Sequence, residues 1–148
     1  MKNLRDQFER AKREGFEYIE LDNPDAYAVS DVVAAIDEAA RYGLKVIAKN
    51  PELIEQDPLP YIAHPNIYGV IVEKGAGSPR EMDRLRKAAG SPKLPVWFVF
   101  FGTDGRERAQ EIAGQIEAAG YPNMSVTFDA AREEYGGDIY DVLLPIPG

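Results

Sequence analysis

Three apolar stretches of this chain end on polar side chains, and this pattern constrains the fold more than any other feature of the sequence. The stretches are residues 18–23, 46–50 and 70–74. In parallel α/β sheets and barrels, the carboxyl ends of the strands meet at one edge, and the functional groups collect there. If the three stretches are neighbouring parallel strands, Asp22, Lys49 and Glu73 surround one mouth. The pattern therefore predicts a site built on carboxylates.

Helical and strand patterns alternate along the rest of the chain. Ser30 can cap a helix whose apolar stripe begins at Val32, and Ser78 followed by Pro79 and Glu81 combines a capping box with proline at the first helical position. The segment between the second and third strands is less regular, and its prolines are expected to break a short helix there. Strand starts recur at intervals of roughly thirty residues, which is typical of β/α units joined by right-handed crossovers.

The repeat predicts an α/β fold, with residues 1–148 forming a single domain of parallel β/α repeats in a sheet of five to six strands. A complete eightfold β/α barrel typically needs about 250 residues, which is more than this chain has. We therefore expect an incomplete or modified sheet of the TIM-barrel type.

Composition excludes several classes of function. The chain has 25 acidic and 17 basic residues, whereas nucleic acids and anionic membranes are bound by clustered cations. It has no cysteine, so disulfides, thiol nucleophiles and cysteine-bound metals are absent. The amino end lacks the apolar region of a signal peptide, and no stretch approaches the roughly 20 apolar residues of a membrane span. We expect a soluble chain, cytoplasmic unless sequence missing from it directs export, with no cofactor and no metal.

Strand alternation sharpens the prediction about the acids. Side chains of a strand point alternately to its two faces, so Glu20 and Asp22 share one face of the first strand, and Glu73 can point into the same interior from the third. Two such carboxylates suit glycosyl transfer to water, in which one attacks or activates water and the other protonates the departing oxygen. The structural alternative is an ion-pair network in which Lys49 or Lys74 satisfies the acids.

The residues around these strand ends resemble those of a known family. The segments are GFEYIELDNPDAY at residues 15–27, GLKVIAKN at residues 43–50 and the Val72-Glu73 pair. In this order they are similar to glycoside hydrolase family 114, the endo-α-1,4-polygalactosaminidase group. That family has a GFDGVE-x-DN-x-D-x-Y strand end, a GL-x-V-x-LKN strand end and a later strand that finishes in Glu, all within a β/α barrel. The likeness covers residues 15–75 and is weak beyond them.

The resemblance implies a hydrolase of α-linked amino-sugar polymers, with Asp22 as nucleophile and Glu73 as acid/base, and an oligosaccharide or polysaccharide as partner. It also implies a set of sugar-binding positions in which one aromatic ring stacks on the sugar and the other side chains form hydrogen bonds. These positions are Glu20, Asn23, Tyr27, Lys49 and Asn50.

The chain departs from the family pattern in two places. It begins at what corresponds to the helix before the family's fourth strand, so about the first three barrel strands have no counterpart in it. Its strand at residues 96–101 ends on aromatic residues where the family strand ends near another Glu. An open sheet exposes edge hydrogen-bonding groups, which a homodimer or a partner chain could cover. The alternative function is a noncatalytic carbohydrate-binding or assembly module derived from such a barrel.

Overall fold

The computed structural model describes residues 2–22, 28–51, 57–73, 77–102, 105–129 and 139–143. The elements in chain order are α1 (Lys2–Arg13), β1 (Tyr18–Asp22), α2 (Val29–Arg41), β2 (Lys45–Lys49), α3 (Leu59–Ile62), β3 (Ile67–Glu73), α4 (Pro79–Ala88), β4 (Val96–Phe101), α5 (Gly105–Ala119), β5 (Met124–Asp129) and β6 (Ile139–Leu143). From α1 to β5, helices and strands alternate as the sequence predicts.

The strands form one sheet in the order β5-β4-β3-β2-β1-β6, and every neighbouring pair is parallel. This confirms the α/β fold with parallel β/α repeats. The sheet is not closed into a barrel, because β5 and β6 are its two edges. From β1 to β5, strands that are consecutive in sequence are also neighbours in the sheet, so right-handed crossovers place the connecting helices on one face.

The main core lies between those helices and one face of the sheet. Each strand from β1 to β4 contributes alternate apolar residues to this cluster, and α1, α2, α4 and α5 contribute their apolar stripes. The strand residues in the cluster are Ile19, Leu21, Val46, Ala48, Ile67, Val70, Val72, Val96, Phe98, Phe100 and Val142. Burial of this one face is what fixes the strand register, since a slip by one residue would turn the apolar set outward.

The other face of the sheet, which we call the open face, carries the polar strand residues. Ile47 and Ile71 belong to it by alternation, and both are only 2% exposed. Trp97 lies on this face directly over Gly69, where a β-carbon would come within 2.2 Å of the indole ring. Gly69 follows an irregularity in the β2–β3 register, and its missing side chain makes room for the indole. The open face is therefore partly filled by its own side chains.

The capping predictions have different outcomes in α4 and α2. Ser78 caps α4, because its hydroxyl accepts a hydrogen bond of 3.1 Å from the Glu81 amide. The prediction that Ser30 caps α2 is wrong. That helix begins at Val29 and its cap residue is Ala28, which forms no side-chain cap. The apolar face of α2 sets the start of the helix, and Ser30 lies exposed within its first turn.

A buried ion pair joins α4 to the loops that lead into β4 and β5. Arg86 is fully buried and donates to Asp83 through Nε and Nη2, at 3.0 and 2.8 Å. Its Nη1 donates to the carbonyls of Leu94 and Pro122, at 3.0 and 2.7 Å. Burial raises the pKa of Asp83, but hydrogen bonds from Lys87 and Arg86 outweigh burial and leave that pKa below its usual value.

Candidate functional site

An acid–lysine–acid cluster lies at the carboxyl ends of β1, β2 and β3, and it consists of Glu20, Lys49 and Glu73. The Lys49 ammonium nitrogen is 3.0 Å from Glu73 Oε1 and 3.8 Å from Glu20 Oε1. The contact with Glu73 is an ion pair, without the alignment of a directed hydrogen bond. Lys49 pairs in register with Ile71, two residues before Glu73, so the lysine reaches forward along the sheet to the acid.

The two acids of the cluster are close to each other. Because one nitrogen contacts both, the two carboxylate oxygens are no farther apart than the sum of these distances, about 7 Å. The side chains of Glu20, Lys49 and Glu73 are 5%, 19% and 18% exposed. The cluster is thus shielded on the β1 side and reachable by solvent on the β3 side.

Asn50 fixes the position of Glu73 from the neighbouring strand end. Its backbone is in the left-handed region, with φ of 46°, which asparagine tolerates better than most residues. The backbone N–H of Asn50 donates to the Ile71 carbonyl at 2.8 Å. The side-chain Oδ1 of Asn50 accepts a 2.8 Å hydrogen bond from the backbone N–H of Glu73. These two bonds tie the end of β3 to the residue that follows β2.

Tyr61 of α3 lies beneath this part of the sheet and is fully buried. Burial raises the pKa of its hydroxyl well above the ordinary value. The nearby backbone of Lys49 lowers that pKa, and the Glu20 carboxylate raises it. The hydroxyl is therefore protonated at neutral pH. Tyr61 belongs to the core on the helix side of the sheet, and its link to the cluster is electrostatic, through the Glu20 carboxylate.

The structure brings together four of the seven predicted site residues: Glu20, Lys49, Asn50 and Glu73. Asp22 is the last residue of β1, and its backbone pairs with Leu143 of β6. The Asp22 side chain lies outside the described part of the structure, as do residues 23 and 27, which are the predicted positions Asn23 and Tyr27. The convergence of Asp22 with Glu73 therefore stays a prediction.

Sequence reasoning missed Tyr61 and the short helix that carries it. The prolines at 58 and 60 were expected to break helical structure in this segment, yet α3 spans Leu59–Ile62 with Pro60 in its first turn. Proline is tolerated there because the amides of a first turn have no partner within the helix. The apolar Tyr61-Ile62 pair, both residues buried, was the signal that a packed element lies between β2 and β3.

The single histidine takes part in a separate polar cluster. His64 Nε2 lies 2.6 Å from Asp37 Oδ1, and His64 Nδ1 accepts a hydrogen bond from the Asn66 amide at 3.0 Å. Since Nδ1 is an acceptor, Nε2 carries the proton donated to Asp37. The histidine links α2 to the turn before β3, which is a structural role.

The fold and the cluster together define an α/β protein with an open parallel sheet and an acid–lysine–acid cluster at its carboxyl edge. Searches with the chain against protein-family models, curated proteins and solved structures found no match. The residues within the described ranges contain no group of three or more acidic or histidine side chains arranged to hold a metal ion. No helix in those ranges is long and apolar enough to cross a membrane.

Proposed function

We propose that this protein is a carbohydrate-active domain of the glycoside hydrolase type that cleaves α-linked amino-sugar polymers through two carboxylates. One observation carries the proposal: the Lys49 nitrogen lies within 3.8 Å of acids from two different strands. Acids from separate β/α units that meet at the carboxyl edge of a parallel sheet are the arrangement in which such folds place their chemistry. The resemblance of residues 15–75 to glycoside hydrolase family 114 supplies the substrate class.

In this proposal Asp22 is the nucleophile and Glu73 is the acid/base. Glu73 has to reach the glycosidic oxygen, and to do so it must leave Lys49. Lys49 keeps a second partner in Glu20, 3.8 Å away, so its charge stays compensated when Glu73 turns toward the sugar. Glu20 then serves as the permanent counter-ion of the lysine.

The same proposal gives the remaining positions sugar-binding roles. Asn50 uses Oδ1 to hold the Glu73 amide, so its side-chain nitrogen is the group that would donate to a sugar hydroxyl. Tyr27 would stack on a sugar ring, while Asn23 and Glu20 would contribute hydrogen bonds. A second protein chain that covers an open edge of the sheet is a further proposed partner.

A noncatalytic carbohydrate-binding or assembly module is the second candidate function. The observation in its favour is that Lys49 contacts both acids of the described cluster within the protein. Such an ion-pair cluster can hold three strand ends together without acting on a bond. The carbohydrate-binding form of this module shares the ligand class of the hydrolase and differs from it in turnover.

The test is release of reducing ends from an α-1,4-linked galactosamine polymer. We expect the wild-type chain to cleave the polymer, and Asp22→Asn and Glu73→Gln each to lower the rate by about 10²- to 10⁴-fold, the usual contribution of a positioned acid or base. Glu20→Gln should reduce the rate less, because that residue acts through Lys49. The matched control is Glu81→Gln on the exposed face of α4, which should leave the rate unchanged.

The outcomes separate the candidate functions. Polymer binding without release of reducing ends favours the module. Equal losses in Glu20→Gln and Glu73→Gln, with Asp22→Asn unaffected, would reassign the nucleophile to Glu20. A chain that neither binds nor cleaves the polymer contradicts the hydrolase and the carbohydrate-binding module, and it favours the assembly module, which needs no sugar.

A further inference from the structure

Among the residues that the structure describes, nothing gives the β5 edge of the sheet the usual protection. Within the described part of the chain, its one strand neighbour is β4, so the backbone groups on its outer side have no strand to pair with. Natural edge strands avoid association through lysines, prolines or bulges. The segment Met124–Phe128 of β5 contains none of these residues, and its register with β4 runs without interruption from the Val96–Met124 pair to the Phe101–Asp129 pair.

An apolar groove runs along this edge between β5 and α5. It has a volume of about 350 Å³ and is lined by Ala109, Ala113, Val126 and Phe128, with Arg106 placed over the Phe128 ring at 5.4 Å. Val126 and Phe128 are only half-buried. The helix thus covers β5 incompletely on the side away from β4.

We propose that a second copy of this chain docks on the β5 edge, so that two β5 strands pair antiparallel about a two-fold axis near Val126. Identical copies related by such an axis use one patch twice, which closes the assembly as a dimer. Met124 of each copy then lies opposite Phe128 of the other, and Ser125 lies opposite Thr127. The six-stranded sheets join into one continuous sheet of both copies.

The position of α5 fits this dimer. This helix packs over β4 and β5, and its first residue, Gly105, lies against Phe100 and Phe128. Pairing of the two β5 strands separates the two α5 helices by about two strand spacings, roughly 10 Å, which is an ordinary interhelical distance. The small residues Ala109 and Ala113 on the groove side permit such an approach.

The charges on α5 are complementary under the same two-fold axis. One face of the helix carries exposed residues at a spacing of three or four positions. These residues are Arg106, Gln110, Ala113 and Glu117. Two antiparallel copies of this face bring Arg106 of each chain opposite Glu117 of the other, and Gln110 opposite Ala113. The face spans about 16 Å and the Met124–Phe128 strand about 13 Å, so the helix and strand surfaces are of similar length.

The test is sedimentation equilibrium of the full chain with a charge swap on α5. At about 100 µM, roughly a hundredfold above a micromolar Kd, the wild type should have twice the 16.4 kDa chain mass. Arg106→Glu or Glu117→Arg alone should raise the dimer Kd about 10-fold or more, because each places like charges together twice. The double variant should return to within about threefold of wild type.

An acid at the start of α5 and a base at its end both favour the helix. Arg106→Glu also removes the contact of Arg106 with the Phe128 ring, whereas Glu117→Arg leaves that contact in place. Arg84→Glu, at an exposed position of α4, has the same change of charge and should leave the Kd unchanged. A wild-type chain that stays monomeric at about 100 µM would overturn the proposal. A dimer Kd that neither single swap changes would also overturn it. A double variant whose Kd does not return to within about threefold of wild type would do the same.

Discussion

Replacing Lys49 by methionine removes the cation between Glu20 and Glu73 while nearly preserving side-chain length. With an effective dielectric constant of about 20, ion pairs at 3.0 and 3.8 Å are worth about 5 and about 4 kcal/mol before desolvation is subtracted. Removing one partner of a buried pair costs about 3–5 kcal/mol, whereas exposed pairs contribute about 1 kcal/mol or less. Lys49 and Glu73 are about four-fifths buried, so we expect Lys49→Met to lower the free energy of unfolding by about 2–3 kcal/mol.

The assay is urea unfolding at pH 7 followed by fluorescence of the single tryptophan. Since the loss comes from uncompensated acids, Glu20→Gln in the Lys49→Met background should restore about 1 kcal/mol or more, which a double-mutant cycle measures. Lys93→Met is the matched control at an exposed lysine and should cost less than about 0.5 kcal/mol. A Lys49→Met chain as stable as this control would refute the claim that the lysine holds acids from β1 and β3 together.

Two further predictions concern stability. The pKa of Asp83 lies below its usual value because bonds from Lys87 and Arg86 outweigh burial, so its contribution to stability is complete above about pH 4 and is lost as pH falls through the lowered pKa. Asp83→Asn should therefore lose less unfolding free energy than wild type when urea titrations at about pH 7 and about pH 2.5 are compared. Gly69→Ala should lower the free energy of unfolding by about 1–3 kcal/mol, because its β-carbon would overlap the Trp97 ring. Trp97→Leu should relieve part of that loss, and its unfolding is followed by circular dichroism because it removes the single tryptophan.

The controls for these predictions use positions without the relevant contacts. Asp31→Asn, at an exposed position of α2, should follow the wild-type loss on acidification. Gly114→Ala lies in the interior of α5, where a β-carbon meets nothing within 4 Å, and should stabilise the chain by about 0.5–1 kcal/mol. If Asp83→Asn and wild type lost the same unfolding free energy on acidification, the role of the Asp83 contacts would be contradicted. If Gly69→Ala left the free energy of unfolding unchanged, the close approach of Gly69 and Trp97 would be contradicted.

The strand ends were predictable from sequence because burial and polarity change within one residue there. Each strand of a parallel sheet is apolar until it leaves the core, so the polar residues that end the stretches 18–23 and 70–74 identified the carboxyl ends of β1 and β3. The face of the sheet on which Glu20 lies was predictable, because side chains of a strand alternate between its two faces with a period of two residues. The ion-pair alternative also followed, since Lys49 ends the strand between the two acids.

Other features depended on long-range contacts that a local pattern does not carry. The α2 boundary was set by packing of its apolar stripe, so the capping preference of Ser30 did not decide it. Tyr61 is buried in the core because α3 packs against α2 and α4. The position of β6 beside β1 could not be read from the sequence, because strand order is a property of the whole sheet. Asn50 was predicted as a sugar-binding residue, and its bond to the Glu73 amide depends on the register of β3.

A crystal structure of the chain with a bound α-linked amino-sugar oligosaccharide tests the central claim most directly. We predict that the oligosaccharide lies across the carboxyl ends of β1 to β3 on the open face, with Glu73 at the linkage oxygen. Its carboxyl group should lie about 5 to 9.5 Å from that of Asp22, the range over which retaining and inverting hydrolysis operate. An oligosaccharide bound on the helical side of the sheet, or carboxyl groups too far apart to flank one linkage, would contradict the account.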